Sequence, residues 1–326
     1  IVSEGGAYKF DASVIGNGKA GIIEGVSFHT TDPSITPNSA ELLWESPSRL
    51  ITGLGYNSEE KTISFIASML EGNALIAAKD ENGDIIWSWH IWCTDRPAEQ
   101  TYINYSDQTF SVQDRNLGAT SAEKGKEDWY SRVDESIGLH YQWGRKDPFN
   151  YNPNSEERTL SWKLSIEESI KNPTRVSTND QWMDPTNFAL WTDSLKTIYD
   201  PCPVGYKVPP KEVWTGFTST GMSVSKKEEI NASGDYDCGW NFLYDGKNTT
   251  WYPATLRANC WNGVYEQYPN QQVGTYWSSS ANSWNAYTLL FSYESDYNLS
   301  VNFTTQGFGE PLSVRCMVDM DYIDAA

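Results

Sequence analysis

A chain of 326 residues is longer than one ordinary core organises, so two domains are expected from size alone. The net charge of −19 at pH 7 argues against nucleic acid and anionic membrane surfaces as partners, since both require a basic face. No apolar run reaches the length of a membrane-spanning helix, so none is expected. Hydrophobic residues at 39% and charged residues at 21% describe a folded chain, but aromatics reach 14%. Fifteen Trp and nineteen Tyr exceed what cores of this size usually need, and such rings also grip sugars and partner proteins.

The chain opens at Ile1 in a strand-like pattern, without the charged and apolar regions of an export signal, so any signal is expected to have been removed or never included. Residues 1–97 read as a β-sandwich. Tyr8, Phe10, Ala12 and Val14 alternate with Lys9, Asp11 and Ser13, and Ile63, Phe65 and Ala67 repeat the pattern of a strand with one buried face. Leu75–Lys79 and Ile85–Trp92 form a hairpin around Asn82-Gly83, which is expected to supply two positive φ values. Both faces of its second strand are partly apolar, so that strand is expected to be central. The acidic Asp80–Asp84 loop lacks the glycine and glutamate spacing of a calcium loop and reads as a solvated turn.

Polar residues 94–99 mark the expected boundary, with a second domain over 98–326. Its texture is α+β. One helix should begin at Ser165, with Glu168 completing a capping box, and stop before Pro173. Another should follow Pro209 and Pro210 with Val213, Trp214 and Phe217 on one face. Ala286–Tyr293, Leu299–Phe303 and Leu312–Val318 are the closing strands.

Several phrases carry a family resemblance. Ile86-Trp87-Ser88-Trp89-His90-Ile91-Trp92 with Thr94-Asp95, then Asp114-Arg115-Asn116-Leu117-Gly118-Ala119, look like Bacteroidetes fimbrillin-type surface proteins. The run from Tyr141 to Phe149, Asp200 to Pro209, Trp277-Ser278-Ser279-Ser280 and Ser313-Val314-Arg315-Cys316 together resemble the Fibrobacter succinogenes major paralogous domain. That domain is similar to C-type lectin and sulfatase-modifying-factor folds. The resemblance implies a sandwich followed by a C-type-lectin-like α+β domain, in a cell-surface or outer-membrane-associated adhesin or fimbria-associated protein. A surface carbohydrate-binding protein of a polysaccharide-uptake system is the alternative it leaves, and an enzyme related to sulfatase-modifying factors comes third. Implied partners are a glycan or a host surface protein, with other fimbrial subunits a further candidate.

In an exported protein four of the five cysteines would pair, and four allow three connectivities that spacing does not resolve. We take Cys202 with Cys316, because the bond would tie the second domain's start to its end, and Cys238 with Cys260. Cys93, on a strand of the first domain, is then without a partner in this chain.

No catalytic constellation emerges. His29, His90 and His140 form no local cluster, no nucleophile elbow surrounds Ser278–Ser280, and the late cysteines lack the close pairing of the sulfatase-modifying oxidases. No cofactor or metal is expected. Glu310-Pro311-Leu312 departs from the triplets with which many C-type lectins hold calcium and sugar. Arg115, Asn116, Trp143 and Arg145, in Gly-adjacent turns, read as hydrogen-bonded supports. The ligand is expected on the aromatic loops of residues 235–284, at Trp240, Trp251, Tyr252, Trp261, Asn262, Tyr265 and Tyr268.

Overall fold

The computed structural model describes residues 1–16, 34–124, 135–149, 159–233, 238–255, 257–258, 265–266, 272–295 and 298–321. It is mostly β-sheet, so packing between sheets holds the chain together.

Six strands build the first part: β1 (Gly6–Asp11), β2 (Ser39–Ser46), β3 (Ile51–Asn57), β4 (Thr62–Ala67), β5 (Gly72–Lys79) and β6 (Ile85–Cys93). They form two antiparallel sheets, ordered β1-β4-β3 and β2-β5-β6. The alternating residues behave as their period dictates: Ile63, Phe65 and Ala67 point into a core shared with Ala74, Ile76, Ala78 and Ile91. Tyr8 stacks on Phe65 at 5.7 Å.

Two expectations for the hairpin are corrected. Of the turn residues Gly83 alone has positive φ, 86°, while Asp80 Oδ1 accepts from the amides of Asn82 and Asp84, both at 2.9 Å. This is a turn closed by one left-handed glycine, and the aspartate does the work that a second left-handed residue would otherwise do. The other correction concerns order: β5 is central and β6 lies at the edge of its three-stranded ladder. Both faces of β6 are apolar because layers cover both. Ile91 faces the sandwich core, Trp87 and Trp92 join a second core built largely from later residues, and Trp89 packs against both.

That second core does not stop at residue 97. Trp44, Leu75, Trp87 and Trp92 pack in one cluster with Tyr141, Trp143, Trp182, Trp191 and Trp277. Each fully buried large side chain contributes about 1.5–3 kcal/mol by area, so this seam is a major source of cohesion. Five of its indole N–H groups are satisfied by carbonyls: Trp92 by Ala119, Trp143 by Ser278, Trp182 by Trp143, Trp191 by Tyr199 and Trp277 by Tyr141, at 2.7–3.0 Å.

Beyond the seam, β7 (Glu99–Ile103) and β8 (Thr109–Gln113) join short strands Met317–Val318 and Tyr206–Lys207 in a four-stranded sheet. A five-stranded sheet orders Asn298–Gly307, Asn285–Ser295, Gln272–Ala281, Leu312–Ser313 and His140–Tyr141. The expected last strand is therefore split between two sheets, with buried Arg315 at the crossing. Helix α1 (Ile166–Lys171) has the full capping box: Glu168 N donates to Ser165 Oγ, and Ser165 N to Glu168 Oε2. The segment after Pro210 is a 3-10 helix, Lys211–Phe217, with Val213, Trp214 and Phe217 buried. A disulfide joins Cys202 and Cys316, 5.8 Å apart at Cα.

Candidate functional site

The rings expected to meet a ligand are mostly core. Strands Gly239–Leu243 and Thr249–Pro253 pair as a hairpin that sets Trp240 opposite Tyr252. Trp240 and Tyr252 have no exposed surface, and Trp251 is 4% exposed. Trp240 packs on Phe242 and Phe291, with centroids 5.5 and 5.1 Å away. Tyr252 lies under the Arg315 guanidinium at 3.7 Å and meets the Tyr102 hydroxyl at 3.2 Å. Trp251 Nε1 donates to Ser136 Oγ at 3.2 Å. A ring with no free face cannot stack a ligand, so these three are corrected to structural residues. Trp261, Asn262, Tyr268 and Cys260 lie outside the described residues. So does the Cys238–Cys260 pairing. Tyr265 is described only as backbone, in a short ladder with Ala258.

The polar motif residues are supports. Arg145, 3% exposed, donates to the carbonyls of Arg175 and Asn172 at 2.7 and 3.2 Å, and lies 5.3 Å from the Trp182 ring. Burial pulls its pKa down to about 10, so it remains a cation at neutral pH and holds the turn after α1. Arg315 donates to Asn116 Oδ1, Thr250 Oγ1 and the Trp251 carbonyl. Arg115 bridges Asp114 and Asp95, at 2.9 and 2.6 Å, and its hydrogen bond is the largest influence holding the Asp95 carboxyl below its ordinary range. Ser279 and Ser280 both donate to the Asp193 carboxylate, at 2.6 and 2.8 Å, which fixes these hydroxyls as strand-end anchors. Burial pushes the Cys93 thiol up to about 11, away from reactivity, and among the described residues it forms no disulfide.

The surface offers a different set of rings. Trp284 is 73% exposed, Trp162 57% and Phe188 45%. All three are tied to one stretch, residues 177–181, and the strand end beneath it. Gln181 Nε2 donates to the Trp284 carbonyl at 2.6 Å, Ser177 Oγ to the Trp162 carbonyl at 2.9 Å, and Phe188 rests on Phe308 with centroids 6.0 Å apart. Phe308 in turn stacks on buried Trp143 at 4.7 Å. Gly307 and Gly309 flank Phe308, and a methyl at either would overlap residues 179–180, so the loop lies flat here because the strand end lacks side chains. Gln142 Nε2 closes the arrangement from below, donating to the carbonyls of Ser177 and Gly309 at 2.7 Å.

Only Trp284 of these rings lies in the aromatic-rich stretch that the sequence singles out, and its signal is local: it sits in Asn282-Ser283-Trp284-Asn285, where nothing apolar neighbours it in sequence. Trp162 and Phe188 carry no comparable mark. Among the described residues no group of three His, Cys, Asp or Glu side chains is placed to hold a metal ion. Comparison with known protein families, curated proteins and solved structures finds no match.

Proposed function

We propose that this chain is an exported cell-surface adhesin or fimbria-associated protein, and not an enzyme, whose second half is a lectin-like binding module. The observation that carries the reading is the exposed set Trp162, Phe188 and Trp284, three large rings turned to solvent where most of the described tryptophans are buried. Exposed rings on loops held by a rigid scaffold are how binding surfaces are built. The buried Cys202–Cys316 bond supports export, since such bonds persist in oxidising compartments. The polar groups that could have suggested catalysis are engaged in holding loops: Ser279 and Ser280 by Asp193, and Arg145 by backbone carbonyls.

The resemblance to fimbrillin-type and major paralogous proteins supports the same reading. Beads coated with the intact chain should adhere to host epithelial cells or to a mucin-coated surface above an uncoated control. A failure to adhere to either, with the protein shown to be folded, would remove the proposal.

A further inference from the structure

We propose that Trp284, Phe188 and the segment 179–181 form a subsite for a neutral sugar; this rests on the adhesin reading above and names where the molecule grips and what it takes. A sugar ring offers a face of C–H groups and a rim of hydroxyls, so its site needs free aromatic faces beside fixed polar groups. Both are present. Trp284 and Phe188 are 73% and 45% exposed, and both are joined to the same segment, one through Gln181 and the other through Phe308.

The polar groups are held before any ligand arrives. Asn282 Oδ1 accepts from the amides of Trp284 and Asn285, each at 2.9 Å, and Asn179 Oδ1 accepts from Gln181 N at 3.1 Å. These turns leave the side-chain Nδ2 groups of Asn282 and Asn179 for a ligand and reduce the ordering that binding must impose. Among the described residues the exposed Asp180 carboxylate accepts no hydrogen bond, and it can take two from neighbouring sugar hydroxyls.

Charge selects within sugars. Segments 179–188, 282–285 and 304–310, which carry the site, hold Asp180, Asp184 and Glu310 and neither Lys nor Arg. With a chain charge of −19, a sialylated or sulfated glycan meets like charge on these segments. A protein partner is disfavoured by the layout. The rings are single, set among polar loop residues, whereas a stable protein interface buries roughly 1,200–2,000 Å² around a continuous apolar centre.

The test measures binding of the intact chain to immobilised mannan, galactan and xyloglucan, and to heparin and a sialyllactose conjugate. Trp284→Ala and Phe188→Ala are compared with Tyr105→Ala, a 58% exposed ring outside these segments. The expected result is binding to at least one neutral polysaccharide, weakened about tenfold by Trp284→Ala and further in the double variant, with Tyr105→Ala unchanged and all melting temperatures alike. Wild-type affinity in the double variant overturns the subsite, as does a preference for heparin or sialyllactose. A wild type that adheres to host cells but binds none of the five glycans overturns the subsite and leaves the adhesin reading standing. A wild type that does neither ends both.

Discussion

The seam between the two halves contains a buried ion pair whose removal should be costly. Lys146 Nζ lies 2.7 and 2.8 Å from the two oxygens of Asp147, 2.5 Å from Ser88 Oγ and 4.4 Å from the Trp87 ring. The side chains are 8% and 4% exposed, so neither charge can turn to water if the other is removed. Burial already pulls the Lys146 pKa down, and Asp147 is what opposes it. Lys146→Met or Asp147→Leu alone should therefore cost about 3–5 kcal/mol. The double variant should cost less than either single change, because an apolar pair of similar volume needs no counter-charge. Urea unfolding at pH 7, followed by tryptophan fluorescence and compared at constant m, measures all four corners of the cycle. Single variants that each cost less than about 1 kcal/mol and add in the double would mean that the pair behaves as a surface salt bridge.

Replacing both Cys202 and Cys316 by Ser removes a bond that closes a sequence separation of 114 residues, and should lower stability by roughly 4–5 kcal/mol in chemical denaturation. His90 Nε2 donates to Asn73 Oδ1, 2.9 Å away, and burial pushes its pKa down to about 3. Because the unfolded ring titrates near its ordinary value of about 6.5, the unfolded chain binds the extra proton first, so stability should fall as pH drops from there toward 3; an NMR titration of the ring showing a midpoint near 6.5 would contradict this. Gly307→Ala should displace the 179–181 segment from the strand end, visible as altered Trp284 fluorescence and weaker adhesion, with less effect on urea stability than the Lys146 change.

What the sequence disclosed follows the range of the interactions involved. The capping box at Ser165 and Glu168 is complete within four residues, so α1 is legible where it stands. The β4 alternation is likewise local. Burial of Trp240, Trp251 and Tyr252 is not, because it depends on Phe217, Phe291, Ser136 and Arg315 arriving from distant parts of the chain. Gly and Asn around these rings signal short strands and tight turns, and both exposed and buried hairpins need them. The apolar second face of β6 misleads for a related reason: a covering layer and a neighbouring strand leave the same pattern. Phe188 and Trp162 were beyond reach, since exposure reflects what fails to dock on a ring, which no spacing records.

The indole cluster that crosses residue 97 also governs how the molecule bears load. Trp87 and Trp92 are enclosed by residues from both sides of residues 94–99, and Trp92 donates to the Ala119 carbonyl while Asn73 donates to that of Gly118. Such a joint cannot bend without exposing tryptophan to water. Tension applied through the sandwich would therefore reach the loops around Trp284 as displacement of one stiff body, and a fragment cut at residue 97 would present a sticky aromatic face instead of a finished domain.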